Sequence, residues 1–236
     1  MRSYTRHQLK QDQFTATAKE TMSWAVEHRK KLTTGGIIVA VVAALVLGGW
    51  SFIRYQETSA NAALSTAMTI YSAPLLPPGT PATPGVVAFA SSQDRAKAAR
   101  PQFLKVASDH GITRSGVIAH YFVGLTDIDL GDYKDAESQL QQVAGSRHQD
   151  LAALAKFALA NVYRQTNRDA QAIQLYKDLI DHPATTVPKA SAQLELAALY
   201  APKQPADARK IYEDIRKENP QGPAATVAAS RLEELK

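Results

Sequence analysis

The sequence predicts an all-α protein: a single N-terminal transmembrane helix followed by an α-solenoid of about three to four helix pairs. Three observations carry this. Residues 32–53 form 22 consecutive positions without a charge. Beyond residue 90 the chain is rich in Ala, Leu, Gln, Lys and Glu, in helix-length segments with no credible strands. Small residues recur at a fixed interval, Gly124, Ala160 and Ala197, spaced by 36 and 37, which is the signature of a repeat array.

The order of segments follows from composition: a basic head over 1–34, a transmembrane helix over 35–54, a juxtamembrane helix and Pro-rich loop over 55–90, and the array with its C-terminal cap helix over 91–236. The net charge of +5 is not spread evenly. Residues 1–34 hold seven basic and three acidic residues, Arg54 adds one positive charge, and 55–236 hold 19 of each sign. A nucleic-acid binder carries its basic excess on the folded domain. Here the excess lies in the head, so the charge sets topology rather than nucleic-acid binding.

In the head, Phe14, Ala18, Met22 and Val26 recur every four residues with Lys19, Glu20 and Glu27 off that stripe. Two readings stay open: an amphipathic helix with Trp24 near the interface, or a frayed basic tail. The uncharged run spans roughly 33 Å as a helix, which matches a hydrocarbon core of about 30 Å. Arg29, Lys30 and Lys31 flank one end and Trp50 and Tyr55 the other. By the positive-inside rule the head stays cytoplasmic and the C-terminal part lies across the inner membrane, in the periplasm. Two readings compete with that anchor. Ala60-Asn61-Ala62 fits a signal-peptide cleavage site, although the head and the apolar run are both longer than such a signal needs. The other is the buried helix of a soluble protein.

Residues 73–90 contain five prolines and two glycines and read as a loop. Helices are expected over 56–72, 91–109, 115–130, 133–144, 149–165, 168–181, 188–200, 205–217 and 223–235. Pro101 predicts a kink in the second of these. Ala136, Ala172 and Ala208 sit early in the second helix of each pair, 36 apart. Leu140, Tyr176 and Tyr212 follow four residues later. Arg231, Glu233, Glu234 and Lys236 suit the polar outer face of a terminal cap.

This pattern resembles the tetratricopeptide repeat, in which a small residue of helix A meets a small residue of helix B with a bulky residue one turn on. Gly124, Ala136 and Leu140 match in the first unit, Ala160, Ala172 and Tyr176 in the second, and Ala197, Ala208 and Tyr212 in the third. The chain departs from the family at His120, Lys156 and Gln193, near the position often filled by Trp. A half-matching unit precedes these, with Ala99, Phe103 and Val106 at the same offsets.

No catalytic constellation emerges. The chain has no cysteine, which excludes disulfides, Cys-ligated metals and a thiol nucleophile. His110, His120, His148 and His182 share no ligand spacing, and His7 and His28 fall on the cytoplasmic side. No G-x-S-x-G, phosphate-binding or dinucleotide-binding glycine motif occurs. The carboxylates Asp127, Asp129, Glu233 and Glu234 read as solvated helix faces. No cofactor, metal, small-molecule substrate or enzymatic activity is expected.

What remains is surface. Tyr121, Phe157 and Leu194 align one above another on the first helices of successive units, which would line a concave face. Two readings stay open: a groove for hydrophobic peptide, or a seam packed against the cap helix or helix 56–72. Asn161, Arg164 and Gln165 lie beside the ladder and could bond a peptide backbone.

The whole architecture resembles the YfgM-type ancillary subunit of the SecYEG translocon, a family sharing its tetratricopeptide domain type with the cell-division coordinator CpoB. Its best local pieces are 24–36 leading into the apolar run, and Trp50-Ser51-Phe52-Ile53-Arg54-Tyr55 leading into an Ala-rich helix. The resemblance implies a place beside the translocon, with emerging secretory chains and a PpiD-like membrane-anchored chaperone as partners. The alternative is an envelope scaffold of the CpoB type, acting in division or outer-membrane assembly.

Overall fold

The computed structural model describes residues 29–77 and 85–235. The amphipathic head with Trp24, Lys236 and residues 78–84 of the Pro-rich segment lie outside the described residues. The chain divides into two compact units, Met1–Tyr55 and Gln56–Lys236.

Helix α1 runs Arg29–Tyr71, 43 residues. The apolar run and the helix expected from residue 56 are therefore one unbroken helix. The segment contains no proline, so nothing removes a backbone hydrogen bond where the apolar residues give way to polar ones. The helix is long and apolar enough to cross a membrane by length and composition, and its most apolar 18-residue window has no residue buried by protein. Leu45 is 71% exposed and Trp50 56%. Arg54 stacks over the Trp50 ring at 4.6 Å.

In the second unit the C-terminal part of α1 is followed by α2 (Ser92–Asp109), α3 (Arg114–Leu130), α4 (Tyr133–Ala144), α5 (Gln149–Gln165), α6 (Asp169–Asp181), α7 (Lys189–Tyr200), α8 (Pro205–Glu218) and α9 (Pro223–Glu234). From α2 onward each start and end falls within one residue of the span expected from sequence. Each helix from α2 onward packs on the next, and α3 also touches α5 and α7 touches α9. That alternation is the packing of a helical solenoid.

Local chemistry sets the boundaries. Ser91 accepts the Asp94 amide at 3.1 Å to start α2, and Thr113 accepts the Gly116 amide at 2.9 Å to start α3. Gly131 ends α3 with φ +82°, a left-handed conformation that a side chain would strain. Pro205 and Pro223 open α8 and α9, where no amide is needed. Helix α2 runs on through Pro101 without a break. The Pro-rich segment is cinched at its base by a parallel bridge, Leu75 to Phe89, with Leu76 N–H donating to Phe89 O at 2.9 Å.

All nine residues of the repeat pattern, Gly124 to Tyr212, are buried. Gly124 shows why the first position is small. A Cβ there would stand 2.7 Å from Leu140 Cγ and 2.9 Å from its Cδ2. Leu140 is fully buried and cannot step aside. Gly124→Ala should therefore cost about 1–3 kcal/mol, as overpacking does. The melting temperature should fall by several degrees; no change would mean α3 and α4 approach less closely than described.

Two polar assignments change. Asp127 is 0% exposed and pairs with the Arg100 guanidinium Nε, while Asp129 is half-buried. Neither is a solvated carboxylate: both face the α1–α2 side of α3. Arg168 is also engaged. It donates to both Glu137 carboxylate oxygens, at 3.0 and 2.7 Å, and stacks over Tyr163 at 4.6 Å. Glu233 and Glu234 do sit at the outer end, Glu234 paired with Arg231 at 2.7 Å.

The start of the second unit is clamped. Glu57 accepts the backbone amides of Arg114 and Ser115 at 2.9 and 3.2 Å, capping α3 from another helix. Gln56 meets His110 Nδ1 at 2.9 Å.

Candidate functional site

The pairing of α3 with α5 brings their first-helix faces together and opens a cleft of about 460 Å³. Its apolar walls come from Tyr121, Leu125 and Ile128 of α3 and from Leu154, Phe157 and Ala158 of α5. Tyr71, the last residue of α1, closes one end. Tyr176 of α6 and Glu195 of α7 complete it. Aromatic contacts fix the shape. Tyr71 meets Phe103 and Phe122 edge-on at 5.8 and 5.5 Å. Phe122 in turn holds Tyr121 edge-on at 5.4 Å, and Phe157 meets Tyr176 at 5.8 Å.

Of the six residues singled out by sequence, Tyr121, Phe157, Asn161 and Arg164 line this cleft, and Leu194 and Gln165 do not. Gln165 is exposed at the last position of α5. Leu194 packs instead with Ala197, Tyr212 and Leu232 near the cap helix. The ladder therefore divides: its first two rungs face an open cleft, and the third joins a seam. Tyr71 was missed because a Pro-rich segment separates it from the repeats. Its only sequence signal was its place at the end of the helix expected over 56–72, just before that segment.

The rim is polar. Arg164 pairs with Glu195 at 2.5 Å and also donates to the Tyr176 hydroxyl. Asn161 is exposed at the mouth. The Tyr71 hydroxyl bonds Asp129, and its pKa is pushed up to about 12, first by burial and then by the Asp129 charge. Arg95 lies over the Tyr71 ring at 5.3 Å. Burial raises the Tyr121 and Tyr176 hydroxyls too. The cleft thus has an aromatic floor, the Asp129 carboxylate bonded by the Tyr71 hydroxyl at one end and the Arg164–Glu195 ion pair on its rim, an arrangement suited to apolar side chains on an extended backbone.

A larger cleft of about 550 Å³ lies at the α4–α5 and α6–α7 corners, lined in part by Ser146, Asp150, Lys156 and His182. Lys156 is held by Asp178 at 2.6 Å. Of the positions that the repeat family often fills with Trp, His120 bonds Gln139 at 2.7 Å, whereas Gln193 is buried with its Oε1 unpartnered. Among the described residues no group of three His, Asp or Glu side chains gathers as a metal site would.

The sequence matches the family described as tetratricopeptide repeat-like domain over residues 24–236. The chain belongs to that family. No curated protein matches it. Two solved structures similar to this tetratricopeptide array are of a Podosopora anserina chain described as a putative kinesin light chain with nearly identical TPR-like repeats, one of them a point variant. They share 15% identity, cover 78% of this chain and 85% of the other, and have TM-scores of 0.52 and 0.51. At that identity the likeness is one of fold. The tetratricopeptide repeat-like fold is typical of protein-interaction scaffolds.

Proposed function

We propose that this protein is an inner-membrane-anchored interaction module whose periplasmic tetratricopeptide array binds apolar protein segments beside the Sec translocon. One observation carries the reading: an open aromatic cleft between the first helices of two successive repeat units. The candidate partners are the translocon, a PpiD-like chaperone and emerging secretory chains, as the resemblance implies. The apolar part of α1 serves as a single-pass anchor, N-terminus cytoplasmic. Ala60, the first residue of the A-x-A sequence, is fully buried inside α1, which favours an anchor over a cleaved signal. Tethering raises the local concentration of the cleft at the channel exit, so weak binding suffices.

Crosslinking in membranes with mass spectrometry tests this. Tyr121→Ser with Phe157→Ser removes apolar contact area while sparing the helices. It should abolish most crosslinks to translocon, chaperone or clients and leave the far-UV helical signal intact. Crosslinks that survive in a folded variant would sink the groove reading. Crosslinks to division or outer-membrane assembly proteins instead would favour the CpoB-type scaffold. A reporter fused after Lys236 should be active only outside the cytoplasm.

A further inference from the structure

We propose that the cleft takes an apolar segment of a partner protein flanked by a lysine or arginine, whose cation pairs with Asp129 at the Tyr71 end. The proposal deepens the cleft reading above and rests on it. Every residue it uses lies within Gln56–Lys236, one of the two compact units.

Formal charge is the first observation. The residues that line the cleft carry two carboxylates, Asp129 and Glu195, and one cation, Arg164. Two negative charges against one positive leave a lining of −1. Arg164 and Glu195 satisfy each other at 2.5 Å, so the excess sits on Asp129.

The second observation is what Asp129 lacks. Carboxylates held between repeat helices elsewhere have a cation in reach: Asp127 has Arg100, Glu137 has Arg168 at 2.7 Å, and Asp178 has Lys156 at 2.6 Å. Among the described residues no ion pair reaches Asp129, which is bonded by the Tyr71 hydroxyl. Arg95 is the cation whose charge it feels, but that guanidinium is committed elsewhere. Its Nη1 donates to Ala73 O at 3.3 Å, it lies over the Tyr71 ring at 5.3 Å, and it does not line the cleft. Burial outweighs both Arg95 and the Tyr71 bond and leaves the Asp129 carboxyl above its usual value. A carboxylate so placed has less compensation than its burial demands.

The helix presents this charge next to the apolar floor. Tyr121, Leu125, Ile128 and Asp129 follow one another at i, i+4, i+7 and i+8 along α3 and all line the cleft. The long stem of a ligand Lys or Arg can therefore lie on apolar surface while its head reaches the carboxylate. An ionised carboxylate accepts at several lone-pair sites, so the Tyr71 bond does not exhaust it. A cation arriving through the open cleft makes a charge-assisted hydrogen bond, about twice as strong as a neutral one. An acidic flank meets a like charge instead, which gives the cleft a way to reject apolar segments of the wrong sign.

The test uses the full chain in nanodiscs of phosphatidylcholine, a lipid without net charge, with empty nanodiscs as the blank. Fluorescent peptides, blocked at both ends, share one apolar core and differ only in a flanking Lys, Gln or Glu. Anisotropy reads their affinity at neutral pH. The Lys peptide should bind about tenfold more tightly than the Gln peptide, the scale of a hydrogen bond to a charged group. The Glu peptide should bind most weakly, and added salt should shrink the gap. Asp129→Asn keeps an acceptor for the Tyr71 hydroxyl, so the helical signal should stand, and it should bring the Lys and Gln peptides to equal affinity. Asp207→Asn, on the exposed first turn of α8, removes the same charge and should leave the gap intact. A Lys preference that survives Asp129→Asn overturns the proposal. Equal affinities of the Lys and Gln peptides for the parent, with binding lost in Tyr121→Ser with Phe157→Ser, overturn it and leave the apolar cleft standing. No binding of any peptide, or binding that this double variant leaves unchanged, overturns both. Self-association without peptide that the double variant abolishes makes a second copy the occupant and also overturns the proposal.

Discussion

Phe103→Ala is expected to destabilise the array by about 3–5 kcal/mol, the range for truncating a buried aromatic. Phe103 is fully buried between α1, α2 and α3. Its ring stacks on Phe122 at 5.1 Å with an interplanar angle of 15° and receives the edge of Tyr71 at 5.8 Å. The cavity left behind cannot collapse easily, because Ala99, Ala67 and Ala119 around it are already small and fully buried. In a solenoid the loss falls on nearest neighbours. Hydrogen exchange should therefore quicken in α2 and in α3 and much less in α8 and α9. Tyr71 closes one end of the cleft, so the variant should also bind apolar peptide more weakly. Equal melting temperatures for variant and parent would mean that the first unit is not packed as described.

Most of the array was legible because its information is local. Helix ends follow from Ser91, Thr113, Gly131, Pro205 and Pro223, each acting within a few residues. The small positions Gly124, Ala160 and Ala197 are periodic, so three weak signals supported one another. The half-matching first unit was legible through Phe103 for the same reason. What escaped was non-local. Asp127 looked solvated because its partner, Arg100, lies 27 residues away on another helix. The Arg168–Glu137 pair likewise joins residues 31 apart. Glu57 capping α3 follows no sequence rule, since the cap comes from a helix 57 residues earlier. The continuity of α1 could have been read, because no breaker separates Ile53 from Ser59. Leu194 shows the limit of repeat alignment. Equal spacing places three side chains on equivalent positions, but the last unit meets the cap helix, so equivalent positions have different neighbours.

Arg100→Met should cost about 3–5 kcal/mol at neutral pH, because it strands a buried carboxylate. Asp127 has no exposed surface and its second oxygen already lacks a partner. Arg100 supplies its ion pair and also reaches Asp135 at 3.4 Å. The two groups shift differently for a physical reason. Burial lifts the Asp127 carboxyl above its usual value, with Arg100 only partly opposing it. The Arg100 guanidinium, 29% exposed, is less desolvated and is held charged by its hydrogen bond to Asp127. A raised folded-state pKa means that Asp127 contributes most favourably below its unfolded value, near ~3.9, and that this contribution is lost as pH rises through the folded value. Removing the cation pushes that folded value higher still. The stability gap between Arg100→Met and parent should thus be widest at neutral pH and narrow on acidification, once Asp127 takes up a proton. Comparing the two proteins at each pH matters, because Glu137 and Asp178 are lowered by Arg168 and Lys156 and weaken both proteins in acid. Adding Asp127→Asn to Arg100→Met should recover part of the loss at neutral pH by removing the stranded charge. A gap that stays constant from acid to neutral pH would mean that packing of the Arg100 stem, rather than the buried charge, holds α2 against α3.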